Sequence, residues 1–371
     1  MRLNRNHTLV VFSDVHFSPQ LLAILQELHN QEISFRVLLI GDPEVSLGHQ
    51  IMAQEWNLRI IPKRNKLSSV LNFGIVGAEI IRNRPKVLFA SGQFATIIGM
   101  LTSKALNVPK RIFIRHHSNF HHKYNMKLGV ILDKMANYSS TEIIAVSAVV
   151  KKTLISNEAA KPEKVKVIYN GIDLRKFLNI NLNGSKVHDL HERPEQLFHI
   201  GVISRLTELK GVEYIAQAFI KLQLEFPNSR LHIVGAISDS YTEIMNILAP
   251  LNRNIYTVER ENFDIPGFFK NLDVFIHVPI GVADEAFGIV YIEALATGVA
   301  CIFTKSGIIN ELNNKEEYVY IVPPRDFEAI YHNLRQIILG VSAPKIRIPN
   351  LWISQFSQEK IAKDYVEIIN G

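Results

Sequence analysis

The chain has 371 residues, of which 47% are hydrophobic and 20% charged, with one cysteine. Such a length exceeds a single ordinary core and suits two domains of roughly 150 to 180 residues each, and the composition excludes a disordered or low-complexity protein. The net charge of +6 conceals a split, since residues 1–180 hold 24 Lys and Arg against 12 Asp and Glu while the remainder holds 17 against 23; this speaks against a uniform nucleic-acid binder and for a basic half that meets an anionic partner, such as lipid headgroups.

At the start of the chain, Arg2 and Arg5 precede an apolar run at residues 8–12 that stops at Ser13-Asp14, too short for the core of a secretion signal. No uncharged apolar stretch reaches the roughly 18 residues that span a bilayer. Cys301 lies in the apolar run 299–303 and reads as a small buried hydrophobe, not a reactive thiol. Without a second cysteine there is no intrachain disulfide, which fits a reducing cytosol. The expectation is a cytoplasmic protein with an option of peripheral docking at the inner membrane face.

Strands and helices then alternate. Residues 9–12 read as a strand and 21–28 as a helix; a strand at 36–40 precedes a helix near 49–56; a strand at 86–90 precedes a helix over about 95–105. Further strands fall at 111–114, 143–146 and 165–168. Short continuous apolar strands between helices are the pattern of a parallel sheet covered on both faces. From residue 173 to 196 the periodicity lapses and polar residues dominate, so a first domain is placed at 1–178 and a linker at 179–196. Alternation resumes with a strand at 197–200, a helix over 212–225, and strands at 230–234, 273–278 and 299–303, giving a second domain over 197–345. The segment 346–371 ends in a helix at 358–369. The fold class is therefore α/β, with two Rossmann-like doubly wound domains whose ligands belong in the loops at the carboxyl ends of strands.

Three loops follow from that rule. Ser204-Arg205-Leu206-Thr207-Glu208-Leu209-Lys210-Gly211 sets two cations at a strand end beside a helix N-terminus, which is either a seat for a diphosphate or a solvated surface loop. The second loop holds Glu285, followed by Phe287-Gly288-Ile289 at a helix start, with Glu293 inside the helix and Thr297-Gly298 closing it. Glu293 is the only charge between Phe287 and Lys305. A lone carboxylate among Ile, Val, Ala and Leu costs several kcal/mol unless hydrogen bonds compensate, so either vicinal hydroxyls of a polyol or a buried Arg or Lys should meet it. Gly288 permits a ligand close to the backbone, and the N–H groups there can meet phosphate or sugar oxygens. A third loop, Lys305-Ser306-Gly307, offers further backbone donors.

In the first half, the strand at 111–114 runs into Arg115-His116-His117-Ser118-Asn119-Phe120-His121-His122-Lys123. Four histidines so close invite a metal site, but adjacent pairs point apart. His117 and His121 chelate only if helical, with no carboxylate or cysteine nearby in sequence. One histidine turned toward substrate is the better reading, and no metal is expected.

Together these residues resemble the retaining glycosyltransferases of the large GT-B group called family 4. The resemblance covers most of the chain. It rests on Glu285 to Glu293 as E-x7-E with Phe287-Gly288, and on Arg205 with Lys210-Gly211. Supporting it are Ser91-Gly92, the histidine after Ile112-Phe113-Ile114, Val146-Ser147, Tyr169-Asn170-Gly171-Ile172-Asp173, Ile233-Val234-Gly235, and Phe356-Ser357-Gln358-Glu359-Lys360-Ile361-Ala362.

The resemblance implies a GT-B fold whose two domains face a central cleft, the first on the acceptor side, with the final helix crossing back onto it. It implies that Glu293 binds the ribose of a UDP-, GDP- or ADP-sugar, Glu285 the donor sugar, and Arg205 and Lys210 the diphosphate. Phe287, Gly288, Ile289 and Gly235 would line the donor site, and His116 would touch the donor sugar, with His117, Asn170 and His16 as further candidates. Transfer of a hexose-type sugar to a polysaccharide or glycolipid is the implied activity, with retention of configuration. The chain has no Asp-x-Asp, so the two cations replace a metal and no cofactor is expected. Two departures stand out: Ser13-Asp14-Val15-His16-Phe17-Ser18 replaces the usual glycine-rich first loop, and Ala286 stands where glycine or proline is common. Alternatives are a GT-B nucleotide-sugar epimerase, which needs no acceptor, and a non-catalytic sugar-nucleotide-binding partner. A membrane-facing segment is sought at residues 63–86, where Lys63, Arg64, Lys66, Arg82 and Arg84 mix with Leu67, Val70, Phe73 and Ile75; the same segment also suits an ordinary helix.

Overall fold

A computed structural model describes residues 7–13, 18–41, 46–62, 66–118, 120–178, 197–235, 240–260, 264–341 and 347–371. The chain divides into two compact units, Met1–Ile172 with Phe356–Gly371, and Asp173–Gln355. In chain order the first unit holds β1 (Thr8–Ser13), α1 (Pro19–Asn30), β2 (Phe35–Gly41), α2 (Ser46–Ala53), β3 (Leu58–Pro62), α3 (Lys66–Asn83), β4 (Val87–Ser91), α4 (Gln93–Ala105), β5 (Lys110–Arg115), α5 (Phe120–Lys123), α6 (Lys127–Ser139), β6 (Glu142–Ala145), α7 (Ala148–Asn157) and β7 (Val165–Val167). Its sheet has the order β3-β2-β1-β4-β5-β6-β7, and every pairing is parallel. Because both faces are covered, the central strands are apolar throughout: Leu9, Val10, Val11 and Phe12 of β1 are all fully buried.

The second unit holds α8 (Arg175–Leu178), β8 (Phe198–Ile203), α9 (Val212–Glu225), β9 (Ser229–Val234), α10 (Tyr241–Leu248), β10 (Tyr256–Glu259), α11 (Ile265–Lys270), β11 (Val274–His277), α12 (Ile289–Thr297), β12 (Ala300–Phe303), α13 (Lys315–Tyr318), β13 (Tyr320–Ile321), α14 (Phe327–Ile338) and α15 (Asn350–Ser354). The sheet order is β10-β9-β8-β11-β12-β13, again parallel. Its core packs Val212, Ile215, Ala216 and Phe219 of α9 with Leu334, Ile337 and Ile338 of α14 over the strands. The final helix, α16 (Gln358–Asn370), belongs to the first unit. Ser357 pairs with Ile172, and Gln20 of α1 donates to the hydroxyl of the buried Tyr365 at 3.2 Å.

The unit boundary falls earlier than residue 178. Phe177 of α8 is buried and meets Phe269 edge-on at 6.2 Å, so residues 173–178 are tied to the second unit by apolar burial. The 346–371 segment is likewise divided, α15 staying with the second unit and α16 returning to the first. The linker expected at 179–196 lies outside the described residues. Among the described residues no helix is long and apolar enough to cross a membrane.

In each sheet the strand order reverses beside the first strand, β1 against β4 and β8 against β11. Loops leaving such a pair of strands diverge and open a crevice at the carboxyl edge. In the first unit that point joins Ser13 to Gly92: the Ser13 hydroxyl accepts from the Ala95 amide at 2.8 Å, and a Cβ on Gly92 would strike the Ser13 carbonyl.

Candidate active site

At the switch point of the second unit, the loop after β8 folds into a short 3-10 turn, Glu208–Lys210, and leaves it through Gly211 at φ 65°. A side chain there would collide with the Val278 carbonyl, so glycine lets this loop lie on the end of β11. Lys210 is thereby turned inward and is 8% exposed. Its Nζ donates to Glu285 Oε2 at 2.6 Å. The same oxygen takes a second bond from His277 Nε2, the last residue of β11, at 2.9 Å. Burial alone would raise the Glu285 carboxyl, but the His277 bond and the Lys210 charge outweigh it and bring its pKa down to about 2.

His277 is a residue that the sequence reading passed over, since it closes an apolar run and looks like strand core. Its pKa is lowered by burial, against the pull of Glu285. Its Nδ1 is buried with no hydrogen-bond partner among the described residues, which suits a neutral ring with the proton on Nε2. Tyr291 stacks edge-on against it at 4.8 Å. His277 is thus a neutral support for Glu285.

Helix α12 begins after Gly288 at φ 84° and ends at Gly298 at φ 79°. No side chain caps its start, so first-turn N–H groups remain available to an anion or hydroxyl. Phe287 is buried while Ile289 is 40% exposed; Phe287 anchors the loop, and its carbonyl accepts from Ile308 at 2.9 Å. The third loop packs beneath: the Ser306 hydroxyl donates to Gly281 O at 2.8 Å, and a Cβ on Gly307 would fall 2.5 Å from Phe287 O and 3.0 Å from Glu285 Cγ. Its role is to support the Glu285 loop.

Glu293 sits on α12 half-buried. Among the described residues it has no hydrogen bond or ion pair with any side chain, so the buried Arg or Lys considered for it is not found there. Desolvation raises its pKa to about 7. Arg205 is exposed, and its guanidinium has no partner among the described residues. Gly235 follows β9 at a position where a Cβ would run into the Ser204 carbonyl, holding the loops after β8 and β9 together. The second unit therefore brings Arg205, Lys210, Gly235, Glu285, Phe287, Gly288, Ile289 and Glu293 to the loops and helix starts that follow β8, β9 and β11.

In the first unit, His116 follows β5, is exposed, and has its Nε2 3.0 Å from the Ser91 hydroxyl at the end of β4. His117 is half-buried and lies edge-on to His121 at 5.1 Å; desolvation, with the Arg115 charge, takes its pKa down to about 2. Asn170 is buried, and its Oδ1 has no hydrogen-bond partner among the described residues. His16, with Asp14, lies outside the described residues.

Beneath His117 lies an ionic cluster that sequence order conceals. Arg115 meets Asp133 of α6 through two bonds of 3.0 Å and pairs with the fully buried Glu158. Asp133 Oδ2 also accepts from His121 Nδ1 at 2.6 Å, and the Gln93 amide lies 2.6 Å from His121 Nε2. The absence of a nearby carboxylate, the reason given against a metal, does not hold in three dimensions: ligand atoms of His117, His121 and Asp133 lie within 4.8 Å of one another. Both Asp133 oxygens are nevertheless occupied by Arg115 and His121, so a cation would have to displace a guanidinium. Burial, with the Asp133 charge, raises Glu158 to about 7 despite Arg115.

Residues 20–176 match the family described as Glycosyltransferase Family 4, and residues 186–346 match Glycosyl transferases group 1. The chain is 26% identical over 302 residues to the capsular polysaccharide biosynthesis glycosyltransferase CapM of Staphylococcus aureus, covering 76% of this chain and 77% of that one. It is 24% identical over 252 residues to an Escherichia coli UDP-Gal:alpha-D-GlcNAc-diphosphoundecaprenol alpha-1,3-galactosyltransferase, covering 65% and 63%. Among solved structures, HepE of Anabaena in complex with UDP and glucose superposes with a TM-score of 0.74 at 19% identity, over 98% of this chain and 99% of that one.

Proposed function

Because the chain belongs to the family 4, group 1 glycosyltransferases and has their GT-B fold, we propose that it moves a hexose-type sugar from a nucleoside-diphosphate sugar to a polysaccharide or glycolipid acceptor, with retention and without a metal. The observation that carries this reading is the contrast between two carboxylates around one crevice. Glu285 is ionised and held by Lys210 and His277, whereas Glu293 is half-buried without a protein partner among the described residues. Vicinal ribose hydroxyls are the donors that Glu293 lacks, each charge-assisted bond contributing about 1.5 to 3 kcal/mol.

In this reading Glu285 grips the donor sugar, and the diphosphate meets Arg205, the remaining N–H groups of Lys210, and the uncapped start of α12. Departure of the nucleoside diphosphate builds negative charge on the phosphate. Cations and amides already in place stabilise that charge more than the ground state, and this is how two side chains serve where a divalent cation would otherwise act. His116, at the carboxyl end of β5, is assigned to the donor sugar. The name of the Staphylococcus aureus relative supports a place in capsular polysaccharide synthesis; the charge split of the chain is the reason for turning the basic first unit toward an anionic membrane surface on the cytoplasmic side.

The test is a thermal-shift series with UDP-, GDP- and ADP-sugars, with and without a chelator. One nucleotide class should raise the melting temperature by mass action, equally with chelator present. No stabilisation by any class, or stabilisation only with free divalent metal, would overturn the reading, as would conversion of the donor to an epimer without acceptor.

A further inference from the structure

Helix α6 is inside out. Its buried side chains are Asp133, Ala136, Asn137 and Ser139, while Leu128 is 69% exposed, Ile131 53%, Met135 44% and Tyr138 74%. At roughly 100° per residue these four fall within about 80° of one another around the axis. Single exposed apolar side chains need no explanation, but an aligned stripe of large ones does.

The ionic cluster holds the stripe outward. Asp133 is fixed by Arg115 and His121, and the Asn137 amide donates to the Glu158 carbonyl at 3.1 Å. Gly129 brings the helix so near His121 that an added Cβ would lie 2.7 to 2.9 Å from the ring. Turning α6 to bury Leu128 and Ile131 would break every one of these contacts.

Cations border the stripe. Lys127 and Lys134 are exposed and, by helical spacing, follow one edge of it. Lys104 Nζ lies 3.2 Å from the centroid of the Tyr138 ring, and Lys164 donates to Ser140 O at 2.6 Å beside the helix end. The one acid of α6 is the buried Asp133. An apolar stripe with a basic edge, an aromatic hydroxyl at its rim and no exposed carboxylate on the helix itself is complementary to phospholipid headgroups over acyl chains.

We propose that α6 docks the first unit on an anionic lipid bilayer, with Leu128, Ile131, Met135 and Tyr138 at the headgroup boundary and Lys127 and Lys134 on lipid phosphates. This deepens the reading above, in which the acceptor side faces a membrane, and it moves the contact away from residues 63–86. Lys63 and Arg64 lie outside the described residues; in α3, Leu71, Phe73 and Ile81 are exposed but spread over about 160° of the helix, and the buried Glu79 binds Arg36 and Arg59.

The test is flotation of the full chain with vesicles of equal parts phosphatidylglycerol and phosphatidylcholine, and with phosphatidylcholine alone. Binding to the anionic vesicles at low salt, weakened by salt and absent from the neutral ones, is expected. The combined Leu128→Ser, Ile131→Ser, Tyr138→Ser variant should bind at least about tenfold less, and Lys127→Glu with Lys134→Glu should bind less and lose its salt dependence. Donor-induced thermal shift, read on the same samples, should be unchanged in both variants, so failure of docking and failure of the sugar-nucleotide reading are separable. A parent chain that ignores anionic vesicles, or a serine variant that binds undiminished, sinks the proposal. So does a parent dimer that the serine variant renders monomeric without change in vesicle binding, which would assign the stripe to a second copy.

Discussion

Arg115 at the end of β5 and His277 at the end of β11 both stand at the carboxyl edge of a parallel sheet, each against a carboxylate, yet the two groups of charges behave differently. In the first unit the charges close on one another: Asp133 gives both oxygens to Arg115 and His121, and Gln93 meets the far nitrogen of His121. In the second unit Lys210 and His277 share one oxygen of Glu285, while Arg205 and Glu293 have no side-chain partner among the described residues. Burial alone does not mark a ligand site. Charge saturated by its own chain builds architecture, and the proposed function gives the charge left open on the loop after β8 and on α12 to a substrate.

The sharpest way to break this contrast is Asp133→Ala, which leaves Arg115 with Glu158 alone and His121 without its acceptor and should cost about 3 kcal/mol in urea denaturation. The donor-induced thermal shift should survive; its loss would make the cluster part of the donor site. Glu285→Ala should act the other way, lowering transfer by about 10² to 10³-fold with the circular dichroism spectrum unchanged. Unaltered turnover would remove Glu285 from the site.

Glu293 gives a prediction with pH. Its folded-state pKa of about 7 lies above the ordinary carboxyl value, so the folded protein holds this proton more tightly than the unfolded chain does. The ionised form therefore costs stability, and the cost grows as pH rises from the carboxyl range through about 7. Glu293→Gln should be more stable than the parent at about pH 8 by up to about 3 kcal/mol, with the difference vanishing near about pH 4. The same variant should bind donor weakly at every pH, whereas donor affinity of the parent should rise with pH through about 7. A pH-independent parent would mean that Glu293 does not receive the ribose. The smallest effect on folding is expected for Arg205→Ala, within about 0.5 kcal/mol of the parent, together with weakened donor binding; a large loss of stability would show that Arg205 is structural after all.

Much of the architecture was legible because buried parallel strands are short unbroken apolar runs. The helix expected at 212–225 is α9 to the residue, since Gly211 punctuates its start and Pro227 follows its end. β3, β10 and β13 went unread. They are outer strands, with Arg59 and Thr257 interrupting two of them and only two residues in the third, so sheet pairing supplies what their own pattern lacks. The Glu285, Lys210 and Glu293 positions were legible from loop spacing and resemblance. His277 and Asp133 were not, because what matters about each is a neighbour far away in sequence or across a strand end, and periodicity carries no such information.

The return of α16 to the first unit has a consequence for synthesis. Ile361, Ala362, Tyr365, Val366 and Ile369 are buried by that return, and they are synthesised only after the whole of the second unit. The second unit can close first, while the first waits with Gln20 and the face of α1 uncovered. Although N-terminal domains ordinarily fold ahead of their successors during translation, here the unit begun first is completed after the second, so a chain truncated shortly before residue 358 would carry an intact second unit and a permanently open first one.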